Sequence, residues 1–595
     1  MEQTQKLEPE QPEASGSEAV RILRQKAKDG SLKSVLADWK WIFSFTRGRW
    51  FSVALYTLFG VITSAIGLLS GVLGKYLIDC IVAMDRSRLL PLAAATVAVA
   101  VAGMVFRGFS ARFSARLGVD MLGDVRSFVF RKLMSSQWMS IRQYSTGDLL
   151  ARFSGDVRTV ANSAMSWLPT VIIQLFTVLS TLAVVLYYDP VMALLAFAST
   201  PALFLASRRL LRRQRDFNKR LRQVGSDLSA FESETFRNID TLKSFGVEDG
   251  MAQRLDSWQD TYRDVTMDYT AFSVRTNLLL SSMGMMVQYL AMGYCMWRLW
   301  RGEILFGTMV LFLQQRTQLS SAFSSLIAQI PAALSGSVAA ERVRELTELP
   351  KEDRQLHRAD PEGSCALQME NLRLAYSDDG RVVLDDVNLL ADAGTVVALV
   401  GPSGEGKSTL MRLMLGLMEP ENGEAYLLDR SGKRFCLGAD TRHLFAYVPQ
   451  GNTVLAGTVA ENLLLVNPKA TEAEMIAALE DACAWEFVRE MPRGIHSVIG
   501  EGGKGLSEGQ AQRIAIARAL VRRAPVLLLD EVTSALDFET EQKVLSNLTR
   551  RGVTCIAATH RPSVLSMCSR VYRVRDGGVE QLSKSEIVYL MNPDM

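Results

Sequence analysis

The string Gly401-Pro402-Ser403-Gly404-Glu405-Gly406-Lys407-Ser408-Thr409 commits this chain to a strand, a tight loop and a helix closing around a polyphosphate. It fits the pattern G-x-x-x-x-G-K-[ST]. An apolar run, Val396 to Val400, precedes it and a helical run, Leu410 to Leu417, follows, which is the setting the pattern requires. Glycines let backbone N–H groups approach phosphate oxygens, Lys407 reaches the outer phosphates, and the Ser408 hydroxyl can ligate Mg²⁺. The whole loop, Gly401 to Thr409, is therefore expected to hold ATP.

Downstream, Val526-Leu527-Leu528-Leu529-Asp530-Glu531 reads as a short apolar strand ending in two carboxylates. Asp530 is placed to hold Mg²⁺, directly or through water. Glu531 is expected to orient and polarise an attacking water, because phosphoryl hydrolysis is mostly positioning and charge stabilisation.

A chain of 595 residues is too long for one core. Its 48% apolar content conceals a division, since the long apolar runs all lie in the first half. They are Phe51–Leu73, Leu89–Phe106, Trp167–Tyr187, Val191–Leu205, Thr276–Met296 and Ile304–Leu334. Most approach the roughly 20 residues that cross a bilayer as helix, which predicts about six spans with Val191–Leu205 the shortest. The connection after the second span carries Arg107, Arg112, Arg116, Arg126, Arg131, Arg142 and Arg158, and the one after the fourth carries Arg208, Arg209, Arg212, Arg213 and Arg215. The remaining loops are short and poor in charge, so the positive-inside rule puts both termini in the cytoplasm. Helical spacing continues through both long connections, with reversals expected near Ser140–Gly147 and Arg237–Asp240.

A net charge of +3 gives no basic field for nucleic acid. The cysteines, from Cys80 to Cys568, lack C-x-x-C spacing and read as reduced structural residues. No cysteine precedes Cys80, so an N-terminal cysteine-protease domain is not expected. Residues 1–30 are rich in Glu, Gln, Pro and Ser and are expected to be disordered. Trp39, Trp41, Phe43 and Trp50 among Lys40, Arg47 and Arg49 suggest a helix in the membrane interface. The expected division is therefore a membrane domain over 31–340, a linker over 341–365 and a nucleotide-binding domain over 366–595.

The string Leu506-Ser507-Glu508-Gly509-Gln510 marks a family. The chain resembles ATP-binding-cassette transporters, whose signature usually reads L-S-G-G-Q; here Glu508 replaces a glycine. The resemblance implies a multidomain fold: an all-α six-helix transmembrane bundle with long cytoplasmic extensions, then an α/β P-loop NTPase domain with a helical signature subdomain. Tyr376 matches the aromatic residue that stacks on adenine, and Gln450 the glutamine linking the Mg²⁺ site to the membrane domain. Ser534-Ala535-Leu536-Asp537 matches the loop crossing the dimer seam, and His560 the switch histidine at the γ-phosphate. The implied catalytic set is Glu531, His560, Gln450 and Lys407, with Ser408, Gln450 and Asp530 at the metal. Leu506, Ser507, Glu508, Gly509, Gln510 and Asp537 would act in trans, which demands a second half-transporter, a homodimer being favoured. His357, His443 and His496 carry no motif.

Ile499-Gly500-Glu501 resembles the loop specific to exporters, and Ser145-Thr146-Gly147-Asp148-Leu149-Leu150-Ala151-Arg152 resembles the first cytoplasmic connection of type I exporters. The resemblance implies ATP-driven export across a plasma membrane, a bacterial inner membrane being expected. The cargo would be an amphipathic, lipid-like or drug-like small molecule or a peptide, with membrane lipids as partners. Import on the same architecture and an ATP-gated channel are the alternatives. In the last span, Gln314, Gln315, Arg316 and Gln318 form a polar group. Arg316 lies about 20 Å along the helix from Gly302, near mid-bilayer, so it is expected to face the bundle interior or a water-filled pathway.

Overall fold

A computed structural model of the chain describes residues 32–353, 361, 363–375, 382–402, 404–451, 453–532, 536–559 and 561–591, without the side chains of residues 32, 195–216, 218, 219, 501 and 563. Tyr376, Ser403, Ser534, Ala535, His560 and the N-terminal segment expected to be disordered fall outside the described residues. The chain divides into two compact units. One comprises Met1–Met134 and Tyr144–Glu348, the other Ser135–Gln143 and Leu349–Met595.

The first unit is helical. Helix α1 spans Leu32–Ser44, α2 Trp50–Val82 and α3 Arg86–Met134. After the short α4, Trp138–Arg142, which belongs to the other unit, a continuous rod α5 covers Thr146–Tyr188. It is interrupted by π-helical turns at Arg152–Asp156 and Ser163–Trp167. Then come α6, Pro190–Arg237, α7, Ile239–Phe245, α8, Glu248–Trp300, and α9, Phe306–Thr347. Among the described residues five helical stretches are long and apolar enough to cross a membrane: Arg47–Val82, α3, α5, α8 and α9. The expected span at Val191–Leu205 lies inside α6, mostly where side chains are not described. Apolar side chains of α3 such as Leu90 and Met104 are 79% and 74% exposed, an outward face suited to hydrocarbon. The 49 residues of α3 extend over about 70 Å, more than twice the hydrocarbon thickness. Long helical extensions beyond a bilayer follow from that length alone.

Polar side chains fix the junctions. Pro190 opens α6, and the Asp189 carboxylate accepts from the N–H groups of Val191 and Met192 at 2.8 and 3.2 Å. Arg298 of α8 pairs with the same Asp189 at 2.7 Å. Asp79 of α2 accepts from the Gly307 N–H at 2.7 Å and so caps the start of α9. A Cβ at Gly307 would stand 2.3 Å from the Lys75 carbonyl oxygen, so only glycine lets the two helices approach this closely.

Val35, Trp39 and Ile42 recur along one face of α1 and are buried. Trp39 Nε1 donates to the Ala333 carbonyl at 3.2 Å, and buried Asp38 accepts from Ser337 at 2.7 Å and pairs with Arg344 at 2.8 Å. The helix expected at the membrane interface thus turns one face into the base of the bundle. Helix α9 also runs past residue 340 to Thr347, because Val343 and Leu346 still bury an apolar stripe.

The second unit is an α/β domain. A six-stranded sheet has the order β12-β11-β3-β10-β9-β6. A four-stranded antiparallel sheet has the order β2-β1-β4-β5, and β3 of the larger sheet falls between β2 and β4 along the chain. The strands are β1 Ala366–Ala375, β2 Val382–Ala391, β3 Val396–Val400, β4 Asn422–Leu428, β5 Arg434–Cys436 and β6 Phe445–Val448. A small pair, β7 Gly457–Thr458 and β8 Val498–Ile499, precedes β9 Val526–Asp530, β10 Thr554–Ala558, β11 Arg570–Arg575 and β12 Gly578–Gln581. Every residue of β3, β9 and β10 is buried, as parallel strands covered on both faces require. Helix α10, Lys407–Met414, packs Leu410, Leu413 and Met414 with Leu372, Leu384, Leu399 and Leu528 in one core. A second core joins the opposite face of the sheet to a helical group: α11 Val459–Leu464, α12 Glu472–Asp481, α13 Trp485–Glu490 and α14 Glu508–Val521. Helix α15, Phe538–Arg550, completes this layer.

Candidate nucleotide-binding site

Strand register assembles the site. In the parallel ladder Leu399 of β3 pairs with Ala558 of β10, and Ala558 pairs with Asp530 of β9. The loop after β3 and the carboxylates ending β9 therefore emerge along one sheet edge, the carboxyl ends of the strands, where open α/β sheets bind ligands. The loop turns sharply, with φ of 149° at Gly401 and 108° at Gly406. A Cβ at Gly401 would lie 2.1 Å from the Val574 carbonyl oxygen. Lys407 opens α10, and its buried ammonium donates to the carbonyls of Gly401 at 2.6 Å and Pro402 at 2.9 Å. The cation is thus held inside the loop's own curve. Glu405 accepts from the Asp576 N–H at 2.8 Å, which occupies its carboxylate on the β11–β12 turn.

Asp530 is buried and accepts from the Tyr447 hydroxyl at 3.2 Å. Burial, with the Asp530 charge beside it, pushes the Tyr447 phenol well above its usual range, so it stays a donor at neutral pH. Glu531 adopts φ of 52°, a left-handed backbone that costs a non-glycine residue of order 1 kcal/mol or more. Its N–H donates to the Ala558 carbonyl at 3.0 Å, and its carboxylate accepts from Gln450 Nε2 at 2.7 Å. One segment, 447–450, therefore contacts both carboxylates. Sequence reasoning singled out Gln450 and missed Tyr447. The available signal was only a tyrosine three residues before Gln450; that its strand lies beside the Asp-Glu strand is shown by the structure.

The signature residues form a helix start. Ser507 caps α14 in a reciprocal box: Gln510 N–H donates to Ser507 Oγ at 3.2 Å, and Ser507 N–H donates to Gln510 Oε1 at 2.9 Å. Glu508 is exposed in the first turn, where the helix dipole favours a negative charge. Leu506 packs at the margin of the helical core. Asp537 caps α15, accepting from the N–H and hydroxyl of Thr540 at 2.9 and 2.8 Å, bonds that hold its carboxyl below the usual range.

Residues 135–143, drawn from between the second and third expected spans, pack into this unit. Trp138 and Met139 lie against the core that contains Leu410 and Leu528. The Trp138 ring lies 5.2 Å from the Arg142 guanidinium and 5.4 Å from that of Arg412 on α10. Backbone bonds pin the segment on both sides: Gln137 N–H to Pro350 O at 2.8 Å, and Glu352 N–H to Ser135 O at 3.0 Å. Within the helical unit, Gln314 is exposed, Gln318 is half-buried, Gln315 is fully buried and Arg316 is 9% exposed. Among the described residues, neither polar atom of the Gln315 amide nor Arg316 Nε has a hydrogen-bond partner. Gln314, Thr317, Ser321 and Ser324 form an exposed polar stripe along α9.

Residues 53–323 match the ABC transporter transmembrane region, and residues 384–534 match the ABC transporter family. The chain belongs to the ABC transporters. This transporter is 30% identical over 474 residues to the ATP-dependent lipid A-core flippase of Pseudomonas fluorescens, covering 78% of each chain. It is 29% identical over 506 residues to the alpha-hemolysin translocation ATP-binding protein HlyB of Escherichia coli O157:H7, covering 82% of this chain and 69% of that one. A solved bacterial Atm1-family ABC exporter with ATP bound superposes with a TM-score of 0.72 at 23% identity, covering 92% of this chain and 97% of that one. The fused order of membrane region and cassette makes this ABC transporter a half-transporter of the exporter type, an ATP-hydrolysing translocase.

Proposed function

We propose that this half-transporter works as a dimer in a bacterial inner membrane, with both termini cytoplasmic, and exports an amphipathic or lipid-like solute on ATP hydrolysis. The observation that carries the reading is the shared sheet edge. It places the phosphate loop, Asp530, Glu531 and Gln450 together, with a segment from between two membrane helices packed on α10.

The donors suit Mg²⁺. Ser408 and Asp530 offer oxygen atoms, and because Gln450 turns its nitrogen to Glu531, its carbonyl oxygen is left for a cation. When bound there, magnesium neutralises charge building on the outer phosphates. Lys407 exchanges its two loop carbonyls for phosphate oxygens. Glu531, oriented by Gln450 and by its fixed backbone, holds the attacking water. The α14 N-terminus, with Ser507 and Gly509, offers donors to the γ-phosphate bound by a second cassette, and Asp537 lies at that seam. Glu508, pointing to solvent in the first turn, leaves this contact intact.

Closure of two cassettes around ATP shifts the bundle by its differential affinity for two states. Trp138 and Met139 form the first coupling contact, and the reversal at Arg237–Asp240 forms the second. The exposed stripe from Gln314 to Ser324 lines the pathway, since polar groups at that depth need water, solute or a partner helix. Arg316, buried with its Nε lacking a hydrogen-bond partner among the described residues, supplies the attraction for an anionic group on the solute.

Inside-out vesicles carrying the reconstituted protein test direction. ATP-dependent uptake into them is expected. ATP-dependent efflux would mean import, and ATP-independent conductance would mean a channel. Glu531→Gln is expected to slow hydrolysis by about 10²–10⁴-fold and trap an ATP-bound dimer; a variant that stays monomeric with saturating ATP would refute the shared site.

A further inference from the structure

The segment 447–450 touches both carboxylates at the end of β9, but only its glutamine has a role in the reading above. Tyr447 pairs with Leu528 across the parallel β6–β9 ladder, and its ring is half-buried in the core that also receives Trp138 and Met139. Its hydroxyl reaches Asp530 Oδ2 at 3.2 Å. Among the described residues, no other side chain forms a hydrogen bond with that carboxylate. The Arg412 guanidinium lies 5.4 Å from the Trp138 ring, and Trp138 and Tyr447 pack against the same core. Trp138, Tyr447 and Asp530 thus lie in one compact unit, the first two on a shared core and the last two joined by a hydrogen bond.

We propose that Tyr447 is a positioning residue for the metal that accompanies ATP: its hydroxyl fixes the Asp530 carboxylate and links it to the core on which Trp138 docks. This rests on the reading of Asp530 as a magnesium ligand. A carboxylate held by one oxygen presents the other in a single orientation, and a donor behind a metal ligand sets that ligand's geometry. The same bond makes metal affinity responsive to the coupling segment. A shift of Trp138 reaches the phenol through the core both pack against, whereas Gln450 reads the neighbouring carboxylate, Glu531.

The test is binding of a fluorescent ATP analogue to full-length protein in lipid, titrated with Mg²⁺ and repeated in EDTA. Tyr447→Phe is expected to raise the half-saturating Mg²⁺ concentration about tenfold while leaving affinity in EDTA as in the wild type. Trp138→Ala is expected to move the Mg²⁺ curve in the same direction by a smaller factor, and the double variant no further than Tyr447→Phe alone. A Tyr447→Phe curve that overlies the wild type would overturn the proposal. So would an equal loss in EDTA, which would show a general disturbance of the nucleotide seat. If wild-type binding ignores Mg²⁺ altogether, the metal reading of Asp530 fails and this inference fails with it.

Discussion

Removing the Trp138 ring isolates the docking of residues 135–143. A fully buried large apolar side chain contributes about 1.5–3 kcal/mol, so half-buried Trp138 contributes about 1 kcal/mol. The Arg412 guanidinium across the contact adds about 0.5 kcal/mol, while the Arg142 contact lies within the docked segment itself. Trp138→Ala should therefore weaken docking by about 1.5 kcal/mol, a factor of about 10. The backbone bonds at Gln137 and Glu352 survive the substitution, so the segment stays tethered but opens more often. Hydrogen exchange by mass spectrometry reads this directly: the Gln137 and Ile141 amides should exchange about 10-fold faster. In vesicles, solute moved per ATP hydrolysed should fall while hydrolysis continues. Unchanged protection of these amides would refute the energetic reasoning, and unchanged transport per ATP would refute the coupling role.

Other outcomes follow from particular contacts. Arg316→Ala should abolish stimulation of ATPase by transported solute, measured as the ratio of rates with and without it. An unaltered ratio would remove Arg316 from the pathway. Gly307→Ala places a Cβ 2.6 Å from the Asp79 carboxylate and closer still to the Lys75 carbonyl. Overpacking costs about 1–3 kcal/mol and the strained cap adds to it, so the melting temperature in detergent should drop. Maleimide should label exposed Cys436 first. Burial pushes the thiols of Cys555 and Cys568 up to about 12, so they stay protonated and unreactive between pH 7 and pH 9 until the protein unfolds. The Asp537 cap runs the other way. Its carboxyl is depressed in the folded state, so the stability it gives is present above the ordinary aspartate range and is lost as pH falls below it. Asp537→Asn, which also caps, should flatten the acid limb of a melting-temperature profile.

Much of the architecture was legible because its signals are local. Apolar runs long enough for a bilayer marked the helical unit, and glycines before Lys407 fixed a loop that only one strand–helix setting accommodates. The Ser507–Gln510 box needed only the reading of a helix start. The interfacial character read into Trp39 came from composition. Burial of Asp38 and Trp39 against α9 depends on residues some three hundred positions away. The reversal expected near Ser140–Gly147 lay close to α4, yet nothing local assigned Trp138 to the core of the cassette.

The sequence by itself determined the motifs and the membrane domain: a phosphate-loop pattern, an apolar strand ending in two carboxylates, and helices of bilayer length in the first half, because motif spacing and apolar run length act within a few turns of chain. Tertiary structure alone decided partnership. Tyr447 meets Asp530 because β6 is laid beside β9 across an intervening helical group, and Gln315 is buried because Gly71, on another helix, leaves room for its amide. Such contacts depend on strand order and helix approach, which no window of residues encodes.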